Sequence, residues 1–329
     1  MSRSVRIHEF GDAGVLRIED VEVGAPAAGE VRLRIRAVGL NRTEITLRSG
    51  RSPAKPTLPT GLGFEAAGVI EAIGPDVTGF SVGHRVALVP AYGAAQYALY
   101  GEVAIAPARS LVAIPDQVSF VEAAATWAAY GTAWGGLVAV GALKAGQTVV
   151  IPAASSSVGL AAIQIAQRLG AQPVALTRTS AKADDLRRLG ASAVVATTEQ
   201  DVVAEVQHLT DGKGAALVFD PVGGPQFATL ARATAAGGTL VLYGALDARP
   251  TVVPPFEIFA RDLRVRGLAL TGLTRDDTQL TALKQFVSAG LADGAFHPTI
   301  ARTFPFEQIA DAHRFIEAGE QVGKVVVTL

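Results

Sequence analysis

The 329-residue sequence has no cysteine. That removes disulfides, thiolate nucleophiles and cysteine metal ligands, and it leaves the redox compartment open. Histidine is scarce too. His8, His84, His208, His297 and His313 stand singly, with no pair at a metal-ligand spacing, so none points to a metal centre. Net charge is nearly absent: 29 basic and 30 acidic residues leave −1. The chain therefore lacks the cationic excess that holds nucleic acid or an anionic membrane surface. Small neutral or weakly charged substrates suit it better. The start, MSRSVRIHEFGDAG, has no apolar secretory core, so the expected location is the cytoplasm. Uninterrupted membrane spans are lacking as well. Ala123 to Leu143 and Gln147 to Gln167 run without a charge, but Gly131, Gly135, Gly136 and Gly141 punctuate the first, and Pro152 with three serines the second. Both read as buried elements of an α/β core.

What is present is apolar material, 49% of the chain, and a length that suggests two domains at roughly 150 residues each. From Val5 to about Pro115, short β segments (VRLRIRAV, AAGVIEAIG, HRVALV, EVAIAP) are separated by Gly, Pro and Asp. Ser119 then reads as an N-cap with Glu122 at the capping-box position, opening an Ala-rich helical stretch through Trp127 and Trp134. From Gln147 onward β and α segments alternate, which predicts a doubly wound parallel sheet. A strand at Leu263 to Leu268, a helix at Thr278 to Ala289 and a closing strand, Lys324 to Leu329, follow. That last strand is able to return to the N-terminal domain.

The most informative segment is Thr148 to Lys182, which reads as strand, tight turn, apolar helix, second strand and basic turn. This is the order of a dinucleotide-binding βαβ unit. Ala154, Ser156 and Gly159 stand at the three glycine positions of the usual turn. Small residues there let backbone approach a pyrophosphate, and the hydroxyls of Ser155, Ser156 and Ser157 can donate to phosphate oxygens. Val158 begins the apolar helix. The end of the second strand reads Thr177, Arg178, Thr179, Ser180, Ala181, Lys182, with no carboxylate before Asp184. A carboxylate there would hold the ribose of NAD, whereas Arg178 and Lys182 suit a 2′-phosphate. NADPH is the expected cofactor, against the alternative of a plain solvated turn.

With AVGLNRTE (Ala37 to Glu44), GFEAAGVIEAIGPDVTGFSVGHRV (Gly63 to Val86), EAAATWAAYGTAW (Glu122 to Trp134), LKAGQTVVIPAASSSVGLAAIQIA (Leu143 to Ala166), VFDPVGG (Val218 to Gly224) and GKVVV (Gly323 to Val327) in order, the chain resembles a medium-chain dehydrogenase/reductase. The similarity is greatest to the zinc-independent, zeta-crystallin-like quinone oxidoreductase branch, over nearly the whole length. The resemblance implies a mainly β GroES-like catalytic domain from residues 1–120 and 266–329, and a Rossmann NADPH-binding domain from 121–265. Where the zinc-dependent branch holds metal, this sequence has Asn41, Phe64 followed by Glu65, and about Ala128. A lone Glu65 cannot complete a four-coordinate site, so no metal is expected.

The resemblance also implies that Asn41, Thr132, Val222 and the Tyr243–Gly244–Ala245–Leu246 loop lie near nicotinamide or substrate, with Lys324 near the cofactor. It implies a homodimer with the sheet edge around Arg264 to Leu270 near the two-fold axis. Asn41, Thr43, Tyr97 and Tyr130 are the candidates to stabilise an oxyanion or supply a proton. For the tyrosines, as for Tyr92, packing is the competing reading. The Tyr-x-x-x-Lys pair of short-chain dehydrogenases is absent. The expected activity is hydride transfer from NADPH to a quinone or α,β-unsaturated carbonyl. The alternatives are an NADP-dependent alcohol dehydrogenase or carbonyl reductase, and a non-catalytic NADPH-binding sensor or structural protein.

Overall fold

In β3 (Glu30–Gly39), Val31, Leu33, Ile35 and Ala37 are buried while Arg34 and Arg36 face solvent. This two-residue period builds a sheet with one wet face. The computed structural model describes residues 1–53 and 55–329, and the chain divides into two compact units: Met1–Ala128 with Pro298–Leu329, and Ala129–His297. Around β3 the first unit contains β1 (Ser2–Ile7), β2 (Arg17–Val21), α1 (Arg42–Arg48), β4 (Thr60–Gly61), β5 (Glu65–Ile73), β6 (Arg85–Leu88), β7 (Val103–Pro107), β8 (Leu111–Ala113) and α2 (Phe120–Ala124). The chain continues through α3 (Trp127–Trp134), β9 (Thr148–Ile151), α4 (Ser157–Arg168), β10 (Gln172–Thr177), α5 (Ala183–Arg188), β11 (Ala193–Ala196), α6 (Val202–Leu209), β12 (Ala215–Asp220), α7 (Gln226–Ala233), β13 (Thr234–Leu242), α8 (Pro255–Ala260), β14 (Arg264–Gly267), α9 (Leu270–Leu273) and α10 (Asp277–Ala292). It returns to the first unit with β15 (Ile300–Pro305), α11 (Ile309–Ala318) and β16 (Lys324–Thr328).

In the first unit a seven-stranded sheet runs β15-β16-β3-β5-β6-β8, with β7 also on β3, beside a small sheet β2-β1-β4. Its key connection is β16, which pairs antiparallel with β3 so that Val326 faces Gly39. In the second unit six parallel strands are ordered β11-β10-β9-β12-β13-β14. This is the doubly wound order, whose switch point lies between β9 and β12. Val150, Val174, Val218, Phe227 and Leu240 form its core.

The units differ from the expected domain bounds at both ends. Residues 266–297 pack with the second unit, not the GroES-like one. A Cβ on Gly131 would lie 3.2 Å from Leu270 and 3.3 Å from Leu283, and Tyr130 packs on Phe296 with ring centroids 5.0 Å apart. The first unit also runs past residue 120. There the predicted capping box forms, Glu122 N donating to Ser119 Oγ at 3.2 Å and Ser119 N to Glu122 Oε2 at 2.8 Å. The helical stretch it opens is not continuous, because α2 ends at Ala124 and a π turn, Gly135–Val140, follows α3. Gly136 lies against Phe219, where a side chain would collide with the ring at 2.1 Å. Among the described residues no helix is long and apolar enough to cross a membrane.

Candidate active site

In the first unit the end of β3 is built around a missing side chain. A Cβ on Gly39 would lie 2.0 Å from Ala124 O and 2.8 Å from Glu65 Oε1. Only glycine admits Glu65, its register partner on β5, at this distance. Beside it Leu40 N donates to Val325 O at 3.0 Å, which draws the start of β16 alongside. Lys324 Nζ then donates to Asn41 Oδ1 at 2.6 Å and to Glu65 Oε1. Asn41 Nδ2 donates to Gly39 O at 3.1 Å, to Glu65 Oε1 at 3.2 Å and, most weakly, to Glu44 Oε1 at 3.5 Å. Glu65 Oε2 accepts from Ala128 N at 2.8 Å. Lys324 and Glu65 are 2% and 1% exposed, so each charge depends on the other.

Glu44 is wholly buried, and burial pushes its carboxyl up to about 7 against the pull of Lys324. Tyr92 donates to Phe64 O at 3.2 Å, and burial raises its hydroxyl well above the usual range. Thr43, one residue before Glu44, is exposed.

These residues do not fit zinc. Asn41 and Ala128 stand where ligands would be needed, Phe64 offers only a ring, and both oxygens of Glu65 accept hydrogen bonds. An ammonium, Lys324, already faces that carboxylate. Among the described residues no three His, Cys, Asp or Glu side chains group as metal ligands.

In the second unit a small-residue turn joins β9 to α4. Ala153 adopts φ +49°, and Ala154 is buried, its N donating to Leu176 O at 3.1 Å. Ser156 caps α4, its Oγ accepting from Gly159 N at 3.1 Å. This hydroxyl keeps its proton for an anion, and the helix start supplies positive potential. Gly159 is obligatory, since a Cβ would lie 2.6 Å from the Ala154 backbone. Ser155, Ser157 and Val158 are half-buried on the same turn. Lys182 Nζ reaches Ser155 Oγ at 3.5 Å, joining the basic turn to the small-residue turn. Thr177 ends β10, and Arg178 follows it, exposed, with its carbonyl held by Thr198 Oγ1 at 2.6 Å.

At the end of β12, Asp220 is fully buried, and burial raises its carboxyl although Val222 N and Gly223 N donate to it at 2.8 and 3.1 Å. These bonds set the turn that carries Val222. Tyr243 stacks on Phe219 at 4.0 Å. The loop after it is tied back by Leu246 N to Pro221 O at 3.1 Å, with Gly244 half-buried and Ala245 and Leu246 exposed. Thr132 is half-buried on α3.

Two of the expected proton donors are hydrogen-bonded to other side chains. Tyr130 Oη donates to Gln164 Oε1 at 2.6 Å, its ring is 2% exposed, and burial raises its pKa. Tyr97 Oη donates to Glu30 Oε1 at 3.1 Å, and burial together with that carboxylate raises it as well. Each proton is engaged by a local acceptor, so packing is the reading the geometry favours for both. Sequence reasoning missed Glu44 and Asp220. The available signal was their position: Glu44 closes the AVGLNRTE segment in the first turn of α1, and Asp220 ends a strand in VFDPVGG.

Comparison with known proteins agrees with this architecture. Residues 27–116 match the alcohol dehydrogenase GroES-like domain family, and residues 157–288 the zinc-binding dehydrogenase family. A quinone oxidoreductase of Pseudomonas aeruginosa is 32% identical over 99% of both chains. The crystal structure of a Pseudomonas syringae quinone oxidoreductase superposes with a TM-score of 0.92 at 31% identity, covering 100% of both chains. Escherichia coli quinone oxidoreductase, solved in complex with NADPH, superposes with a TM-score of 0.91 at 26% identity over 99% of this chain and 100% of that one. The chain belongs to the quinone oxidoreductase branch of the medium-chain dehydrogenase/reductase superfamily.

Proposed function

We propose that the protein is an NADPH-dependent, zinc-independent oxidoreductase that reduces a quinone or an α,β-unsaturated carbonyl. The observation that carries this reading is the closed Lys324–Glu65–Asn41 group: the carboxylate at a zinc-ligand position is satisfied by an ammonium and two N–H donors. Nothing there has a metal's strength for stabilising an alkoxide. Conjugated acceptors need less, because the charge left by hydride addition spreads into an enolate or hydroquinone anion, and a neutral donor then suffices.

When bound, NADPH supplies the hydride. The turn Ala154 to Gly159 would hold its pyrophosphate, Arg178 and Lys182 its 2′-phosphate, and Thr132, Val222 and Tyr243 to Leu246 the remainder. The NADPH complex of the Escherichia coli relative supports this choice. In this reading Asn41, whose Nδ2 is held by Gly39 O and Glu65 Oε1, would share an amide N–H with the acceptor oxygen, with exposed Thr43 as a second donor and solvent supplying the final proton. The same reading includes a cytoplasmic homodimer.

The test compares NADPH oxidation by quinones and enones with NADP-dependent oxidation of primary and secondary alcohols. Turnover of conjugated acceptors without added metal is expected. Efficient alcohol oxidation with no conjugated acceptor reduced would overturn the proposal, and cofactor binding without any turnover would point to the non-catalytic alternative.

A further inference from the structure

The buried side of α1 carries a carboxyl group without a cation of its own. Around Glu44, every charged or titratable neighbour is already accounted for. Lys324 on β16 closes on Glu65 of β5. Arg48, one turn along α1, closes on Glu317 at 2.5 Å and donates to Gly11 O at 3.1 Å. His313 on α11 is fully buried, neither ring nitrogen has a partner, and burial beside Arg48 holds it neutral. Tyr92 and Tyr100 are buried phenols whose pKa values are raised, so both remain neutral. Two buried cations thus meet two carboxylates, and Glu44 is the third. Its Oε2 is buried without a partner, as is Tyr100 Oη. An ionised carboxylate in that place would have only the distant Asn41 amide, its own backbone N–H and the neighbouring Tyr100 phenol as donors, and no cation to itself, which is too little for a buried charge.

We propose that Glu44 is an uncharged carboxylic acid and the positioning residue for Asn41: neutral, it contacts the amide too weakly to draw its N–H groups away from Gly39 O and Glu65 Oε1, and so keeps Asn41 in the orientation in which it meets a substrate oxygen. The geometry supports this, since Asn41 Nδ2 lies 3.5 Å from Glu44 Oε1 but 3.1 Å from Gly39 O and 3.2 Å from Glu65 Oε1. Ionised, Glu44 would become a charged acceptor, draw one of those N–H groups to itself and compete with Glu65 for Lys324. The carboxyl pushed up to about 7 places the change near neutrality.

The kinetic arm of the test rests on the oxidoreductase reading, and the spectroscopic arm does not. Isotope-edited infrared spectra of the full chain carrying 13C-glutamate should show a protonated carboxyl band that disappears as pH rises through about 7 and is missing in Glu44→Gln. In the wild type, the side-chain amide resonance of Asn41 should shift over the same range, which tests the idea even if the variant fails to fold. With NADPH and a quinone, wild-type kcat/KM should decline through that transition with the Km for NADPH unmoved. Glu44→Gln, which is permanently uncharged, should lose the decline. An identical infrared band in Glu44→Gln, an Asn41 amide blind to pH, or a kcat/KM profile the same in variant and wild type would each overturn the proposal.

Discussion

Lys324 and Asn41 stand 283 positions apart in the sequence, yet the lysine ammonium donates to the asparagine side-chain oxygen at 2.6 Å. The contact exists because β16 pairs with the end of β3, so the last strand of the chain completes a site begun near its start. It also fixes the direction of the amide. With Oδ1 on an ammonium, Nδ2 must face the acceptors, and Asn41 becomes a donor.

Removing the ammonium should be costly. Lys324→Met leaves Glu65 buried and unpaired, which is expected to destabilise the first unit by about 3–5 kcal/mol. Urea unfolding measures this. Adding Glu65→Gln should recover much of the loss, and equal stability of Lys324→Met and wild type would contradict a structural role for the pair.

Gly159 has no room for even one methyl group. With a Cβ 2.6 Å from the Ala154 backbone, Gly159→Ala should cost about 1–3 kcal/mol through overpacking. It should also weaken NADPH binding by displacing the turn, as read by calorimetric titration. Ser156→Ala should cost about 1 kcal/mol through the lost helix cap, and it also removes a hydroxyl donor from the turn.

Arg178→Ala should weaken NADPH by about ten- to a hundred-fold, the worth of a charge-assisted phosphate contact, while sparing NADH. Titration of both cofactors against the variant checks this. Unchanged NADPH affinity would reassign the 2′-phosphate to other groups.

His313 and Glu44 give opposite pH dependences of stability. Burial lowers His313 from 6.5 to about 3, so between these values the unfolded chain binds the extra proton, and stability is lost as pH falls. Glu44 is raised from 4.5 to about 7, so there the folded chain binds the extra proton, and stability is lost as pH rises. The two slopes oppose each other between 4.5 and 6.5. Glu44→Gln should therefore expose a stability that climbs with pH over that interval, and His313→Leu one that falls. Denaturant midpoints across the interval decide it. Parallel curves for both variants would be inconsistent with this assignment.

β14 is the exposed edge of the parallel sheet, and near it in sequence Phe256 and Phe259 on α8 are 76% and 68% exposed. An unpaired edge with apolar neighbours is a surface that a second copy would cover. Light scattering should show a dimer, with Phe256→Glu/Phe259→Glu shifting it toward monomer. A monomeric wild type at micromolar concentration would contradict the pairing.

Local chemistry was legible without coordinates. The Ser119 capping box, the turn from Ala154 to Gly159, the basic end of β10 and the helix at Asp277–Ala292, predicted from Thr278 to Ala289, rest on residues close in sequence. Caps, small-residue turns and apolar periods are set by neighbours a few positions apart. Quantities that depend on distant partners were not legible. Residues 266–297 belong with the second unit because Leu270, Leu283 and Phe296 fill space beside Tyr130 and Gly131. Tyr97 and Tyr130 find their hydrogen-bond acceptors in Glu30 and Gln164, 67 and 34 residues away. The sequence by itself determined a parallel sheet with a dinucleotide turn and no complete zinc ligand set. Only the tertiary structure decided which carboxyls have cations, because burial and charge pairing are properties of strands brought together from both ends of the chain.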